Sequence, residues 1–203
     1  MIHSPLKHET LGKTTISTEE INLLPMRIFE GEIVLVQSVE ELDPIIKILE
    51  HTPVLGFDTE TRPSFKKGEF HHAALLQFAV PGKVFLIQIQ KTGLPDALAK
   101  ILSNPNIIKA GVAIRDDIKA LQKFNRFHPA GFVDLAVLAR DRELGVESVK
   151  KLTALLLGFR ISKTAQTSNW EAPTLSEKQI VYAATDAWVC LEIFGKLNSD
   201  PRF

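Results

Sequence analysis

The spacing of apolar positions divides the chain into short β-prone runs followed by alternating strands and helical stripes. Ser17-Thr18-Glu19-Glu20 reads as a capping box that opens a short helix closed by Pro25. Ile33 to Val36 is a strand, and Ser38-Val39-Glu40-Glu41 opens a helix to about Glu50. Val54 to Thr61 begins as a buried strand would, and a polar loop runs from Arg62 to His72. Ala74 to Val80 is a strand, Pro81-Gly82 a turn, and Val84 to Ile87 the hairpin partner. Pro95 to Leu102 is a helix stopped by Asn104-Pro105, Ile107 to Val112 a strand, and Ile114 to Phe124 a helix. Phe132 to Leu135 reads as a short strand or as the start of the helix that continues to about Arg140. Ser148 to Leu157 is a helix ended by Gly158, residues 159–175 are a long loop, and Ser176 to Leu197 is the final helix. Hairpin strands first and alternating elements later predict an α/β fold, a mixed β-sheet flanked by α-helices. Residues 1–28 are expected to form an N-terminal extension with one short helix, loose to about residue 16, and residues 29–203 a single domain.

Composition narrows the picture. A chain of 203 residues can bury a full core, and its apolar content is that of a globular protein. The formal net charge is zero, so a strong overall grip on a long nucleic acid is not evident, although a local basic patch is compatible with it. Cys190 is the one cysteine, which excludes an internal disulfide and argues against a cysteine-based zinc site. No apolar run resembles a signal peptide or a membrane span, so a soluble cytoplasmic protein is the expectation. Gly12-Lys13-Thr14 looks like the end of a phosphate-binding loop, but position 7 is Lys rather than Gly, so the cradle is missing.

The informative residues are carboxylates at positions where a core should be apolar. Asp58 and Glu60 lie two apart on a strand, so they share a face near the end of a core element. Two like charges there repel each other and resist desolvation, and a hard divalent cation, Mg²⁺ or Mn²⁺, removes both problems. A strand ending in a solvated acidic turn is the plainer alternative. In the helix after Gly111, Ile114, Ile118 and Leu121 mark the buried stripe; Asp117 falls beside it, and Asp116 points away. The final helix has an apolar stripe through Ile180, Ala183, Ala184, Ala187, Leu191 and Phe194, with Thr185, Glu192 and Lys196 on its wet face. Asp186 lies inside the apolar sweep, four residues from Tyr182, and a buried unpaired Asp is costly. Each acid also has a local reading, a cap or ion pair for Asp117 and a Tyr–Asp hydrogen bond for Asp186. Four carboxylates holding two metals about 4 Å apart form the apparatus for in-line phosphoryl displacement.

These residues resemble a known family. Phe57-Asp58-Thr59-Glu60 is similar to the first motif of the DEDD exonuclease superfamily. Gly111-Val112-Ala113-Ile114-Arg115-Asp116-Asp117 is similar to the second, and Tyr182-Ala183-Ala184-Thr185-Asp186 to the tyrosine form of the third. That form marks the DEDDy branch, which includes ribonuclease D and the Werner syndrome exonuclease domain. Pro63, Gly68, Ala74-Leu75-Leu76-Gln77 and Ser168-Asn169-Trp170 extend the likeness, which is closest to the Werner type and covers about residues 30–197.

The resemblance implies a ribonuclease H-like fold and 3′→5′ exonuclease activity that releases nucleoside monophosphates. It implies two divalent cations, with Asp58 bridging both, Glu60 and Asp186 on the one that carries the attacking water, and Asp117 serving the other. Tyr182 would orient that water or help its deprotonation. The helicase or helical domains that often accompany such exonucleases are not expected here.

A single-stranded or 3′-recessed nucleic acid is the expected partner, DNA slightly favoured over RNA, with no obligate protein partner. Thr59 and Thr61 would approach the terminal sugar, and Arg62, Lys66, Lys67, His71, His72 and Lys163 would meet phosphates. Trp170 is either a stacking platform or a packing residue, and Leu75, Leu76 and Phe78 either press on a base or fill the core. Two other readings compete. A binding module with the same fold and little or no catalysis would lack an acid or the tyrosine, and none is missing. An aspartyl-phosphate phosphatase would carry Asp-x-Asp where this chain has Asp58 and Glu60.

Overall fold

The structure, a computed structural model, describes residues 13–64 and 71–200. Its strands are β1 (Glu32–Val36), β2 (Val54–Thr61), β3 (Ala73–Val80), β4 (Lys83–Gln88), β5 (Ile108–Gly111) and β6 (Phe132–Asp134). They form one sheet in the order β1-β4-β3-β2-β5-β6. The β2–β3 and β3–β4 pairs are antiparallel, and β1–β4, β2–β5 and β5–β6 are parallel. The mixed sheet expected from the order of elements is therefore present, and residues 132–134 are a strand. The helices are α1 (Thr18–Leu23), α2 (Leu42–Glu50), α3 (Ile89–Thr92), α4 (Asp96–Ser103), α5 (Arg115–Leu121), α6 (Leu135–Asp141), α7 (Val149–Leu152) and α8 (Glu177–Ser199).

Several details depart from the spacing pattern. α2 is preceded by a 3₁₀ turn over Val39–Glu41, and α7 runs into a π-helical turn over Thr153–Leu157, where the Thr153 hydroxyl donates to Val149 O at 2.7 Å. α3 is too short to register as periodicity, and α5 stops at Leu121 rather than Phe124. Thr185, expected on the wet face of α8, is buried. Its hydroxyl accepts from Phe29 N at 3.0 Å and donates to Val181 O at 2.7 Å, because the segment before β1 crosses that face. The same segment is docked elsewhere: Arg27 N donates to Arg160 O, and Arg160 N donates to Pro25 O, both at 2.9 Å.

The sheet carries a core on each face. On one side Phe57, Phe78, Phe85 and Ile87 pack with Leu42, Ile45, Leu98 and Leu102. On the other, Leu75, Ala79, Val84 and Leu86 meet Ala183, Ala184 and Ala187 of α8. Lys109 of β5 is buried in the sheet, and its ammonium donates to Ile101 O at 3.1 Å and Asn104 O at 2.8 Å, capping the end of α4. Burial lowers its pKa to about 8.

Small residues let α8 lie close to β2. A Cβ placed on Gly56 would stand 2.1 Å from Ala187 O and 3.0 Å from Leu191 N. Gly56, Asp58 and Glu60 share one face of β2 by strand alternation, and this contact puts that face directly under α8. Gly111 plays a similar part on β5, where a Cβ would come within 2.6 Å of Phe57 O. Gly56→Ala is expected to destabilise the protein by about 2–3 kcal/mol through overpacking. Gly195→Ala, in open space on the same helix, is expected to stabilise it by about 0.5–1 kcal/mol. Thermal or urea unfolding of the two variants measures both signs.

Candidate active site

Two helices bring acids to opposite faces of the end of β2. On the α8 face, Asp58, Glu60 and Asp186 each offer an oxygen within 4.8 Å of the others. On the other face, the alternation of β2 points Thr59 toward α5, and its hydroxyl donates a short hydrogen bond to Asp117 Oδ1. Asp117 is not one of the three mutually close acids, yet its charge reaches Asp58 and Glu60. α5 is aimed by the turn after Gly111, where Ala113 takes φ +57° and donates its N–H to Asp134 Oδ1 at 3.1 Å. The same oxygen accepts from Ala136 N at 2.9 Å and caps α6. Asp116 is exposed, as the helical spacing predicts, and is paired with Lys119 at 3.0 Å.

The electrostatics are those of charges crowded in a buried place. Burial, then the charges of Asp186 and Asp117, hold Asp58 well above the usual carboxylate range. Burial, then the charges of Asp58, Asp186 and Asp117, push Glu60 up to about 10. Asp186 rises to about 7, because burial outweighs the Tyr182 hydroxyl and the Lys163 charge that favour its anion. Burial also raises Asp117. Tyr182 is raised by burial and then by Asp186 and Glu60, so its phenol stays protonated and can donate.

Gln77 lies opposite Asp58 in the β2–β3 ladder and is fully buried. With its amide nitrogen turned to these acceptors, it donates to Asp58 Oδ2 and Ala183 O, both at 3.2 Å. Asp186 Oδ1 is buried and has no hydrogen-bond partner among the described residues. A buried, unpartnered carboxylate oxygen beside two further carboxylates is a ligand set that suits a hard divalent cation. The acids line a cavity of about 180 Å³ together with Tyr182, Ser162, Lys163 and Gln166.

The expected substrate contacts fare differently. Lys163 lines the cavity and acts on Asp186. Thr61 ends β2 half-buried, and Arg62 is exposed and paired with Glu171 at 3.2 Å. His71 meets the other Glu171 oxygen at 3.1 Å, and His72 packs edge-on against Phe124 at 5.7 Å. Lys66, Lys67 and Gly68 lie outside the described residues. Trp170 needs correcting: it is 1% exposed, its ring is 6.0 Å from that of Tyr182, and no face is open to stack on a base. Leu75, Leu76 and Phe78 are core residues. Spacing did not single out Gln77, Ser162 or Gln166. A lone amide in the otherwise apolar β3 was the available signal for Gln77; the loop residues left none.

A six-stranded mixed sheet with helices on both faces and acids at the end of its central β2 defines a ribonuclease H-like nuclease fold. Residues 33–200 match the 3′-5′ exonuclease family model, and the chain belongs to that DEDD exonuclease family. It is 33% identical over 191 residues to human exonuclease 3′-5′ domain-containing protein 2, covering 86% of this chain and 30% of that protein. It is 33% identical over 187 residues to the mouse bifunctional 3′-5′ exonuclease/ATP-dependent helicase WRN, covering 87% of this chain and 13% of that one. The chain thus spans less than a third of the length of these relatives. Among solved structures, the Aedes aegypti Nibbler EXO domain superposes with a TM-score of 0.73 at 28% identity, covering 85% of this chain and 89% of that one. No helix among the described residues is long and apolar enough to cross a membrane.

The raised acids predict a sign for the pH dependence of the metal-free protein. Asp186 has a folded pKa of about 7 against an ordinary value of 3.8, so the stability linked to it is present at low pH and lost as pH rises through 7. In EDTA the melting temperature should fall by at least about 4 °C between pH 5 and pH 8. Asp186→Asn should lessen that fall, the remainder coming from Glu60 and Asp58, which are raised as well. Calorimetry of both proteins across the range checks it; an unchanged slope in the variant would contradict it.

Proposed function

We propose that the chain is a metal-dependent exonuclease of the tyrosine subtype, which removes nucleoside monophosphates from the 3′ end of a single-stranded or 3′-recessed nucleic acid. The observation that carries this reading is the convergence of Asp58, Glu60 and Asp186, with an orphaned buried oxygen, beside Tyr182. Asp58, Glu60 and Asp186 would hold one Mg²⁺ or Mn²⁺, and Asp117 with Asp58 would serve a second. When bound, such a pair supplies a nucleophilic water near neutral pH and stabilises the charge on the leaving oxygen.

The chain's own groups do the rest. The Tyr182 hydroxyl, protonated and donating to Asp186, presents its oxygen to the attacking water and orients it. Lys163 places a positive charge at the cavity wall, where it meets the scissile phosphate. Thr59 fixes Asp117, and Gln77 fixes Asp58 from the sheet, so neither carboxylate needs to reorganise. Backbone around Thr59 and Thr61 adjoins the terminal sugar, and Arg62 stands at the rim for a further phosphate. DNA is favoured over RNA because the motifs and Ser168-Asn169-Trp170 resemble the Werner type.

The test uses matched 5′-labelled DNA and RNA single strands with Mg²⁺ or Mn²⁺. Wild type should shorten the DNA stepwise from the 3′ end, faster than the RNA, and EDTA should stop it. Asp58→Ala should lower the rate by about 10³-fold or more. Shortening that persists in Asp58→Ala contradicts the assignment, and binding without shortening points to a module that kept the fold and lost the chemistry.

A further inference from the structure

Glu171 belongs to none of the acid motifs, yet it connects three parts of the chain. One carboxylate oxygen accepts from Arg62 Nη1 at 3.2 Å, just beyond the end of β2. The other meets His71 Nδ1 at 3.1 Å, just before β3. Its backbone is held in turn. Glu171 N donates to the Asn169 side chain at 3.2 Å, and Asn169 O accepts from Gln179 Nε2 of α8, also at 3.2 Å. The residue before it, Trp170, is buried against Tyr182. Glu171 is therefore a fixed rung from the start of α8 to the rim of β2.

An exposed ion pair of this kind contributes little to stability, so stability does not account for it. What it does is fix the direction of a long side chain. The Arg62 guanidinium has five N–H donors in a rigid fork. The bond to Glu171 uses one, and among the described residues the others make no hydrogen bond. Arg62 follows Glu60 by two positions, just past the end of β2, and its fork is held there with donors to spare.

We propose that Glu171 is a positioning residue that presents Arg62 to a phosphate of the bound strand. The proposal rests on the exonuclease reading for its ligand, a nucleic-acid backbone, and gives Glu171 an indirect role. A carboxylate near an anionic substrate would by itself weaken binding. If Glu171 acts through Arg62, its removal weakens binding instead, and only while Arg62 is present.

The experiment measures the dissociation constant of a fluorescent single-stranded 12-mer by anisotropy in EDTA, where nothing is hydrolysed, over a range of salt. The proteins are wild type, Arg62→Ala, Glu171→Ala, the isosteric Glu171→Gln, and each Glu171 variant combined with Arg62→Ala. Arg62→Ala and Glu171→Ala should each weaken binding by about 5-fold or more, and Glu171→Gln by about 2-fold or more. Neither Glu171 change should add to the loss in Arg62→Ala. The slope of log affinity against log salt should fall by about 0.7 in both alanine variants, the value for one phosphate of a single strand. Binding as tight as wild type or tighter in either Glu171 variant, or a loss additive to that of Arg62→Ala, overturns the proposal. Wild type that binds but never cleaves sinks the proposed chemistry and leaves this inference standing. Wild type that cleaves, with Glu171 variants that bind normally, sinks this inference alone. Wild type that binds no strand overturns both.

Discussion

The structure depends on one close contact between a helix and a strand. α8 lies against β2 so tightly that Gly56 has no room for a side chain beneath Ala187 O. That contact sets how far Asp186 stands from Asp58 and Glu60, and the three carboxylates meet with oxygens within 4.8 Å of one another. Apolar burial along Ala183, Ala184 and Ala187 holds the helix down, and the acids are carried with it. Hydrophobic packing is here the force that holds like charges together.

The cost of that arrangement is visible in the direction of every acid in the cluster. All four carboxylates are raised, by burial first; Asp58 and Glu60 are raised further by other acids of the cluster, and Asp117 by Asp116 and Asp134. Their neighbours relieve only part of it: Thr59 for Asp117, Gln77 for Asp58, Tyr182 and Lys163 for Asp186. Asp186 Oδ1 receives nothing among the described residues. A fold that assembles repelling ligands and leaves one oxygen unmet is pre-organised for a cation, and membership of the exonuclease family agrees with that. The two-sided geometry divides the labour. The trio gathers on the α8 face, and Asp117 comes from the α5 face through Thr59.

Much of this was legible in the chain. Periodicity of two placed Asp58 and Glu60 on one face, and a spacing of four placed Tyr182 beside Asp186. Helical angle alone separated the inward Asp117 from the solvated Asp116. What was not legible arose from contacts between distant segments. Thr185 looks wet on a helical projection because nothing in α8 announces that Phe29 will cover it. Trp170 sits in a polar loop, and only the folded chain shows that it is enclosed against Tyr182. Glu171 carries no pattern at all; its side-chain partners Arg62 and His71 lie 109 and 100 positions away. Local pattern thus revealed the acids, and tertiary packing supplied the residues that hold them.

The central claim is that these acids form one ligand set for divalent cations. Isothermal titration of the metal-free protein with Mn²⁺ near neutral pH tests it most directly. The account predicts saturable binding that weakens by at least about tenfold in Asp58→Asn and in Asp186→Asn, with Asp116→Asn unchanged. No saturable binding, or equal affinity in all four proteins, would contradict it.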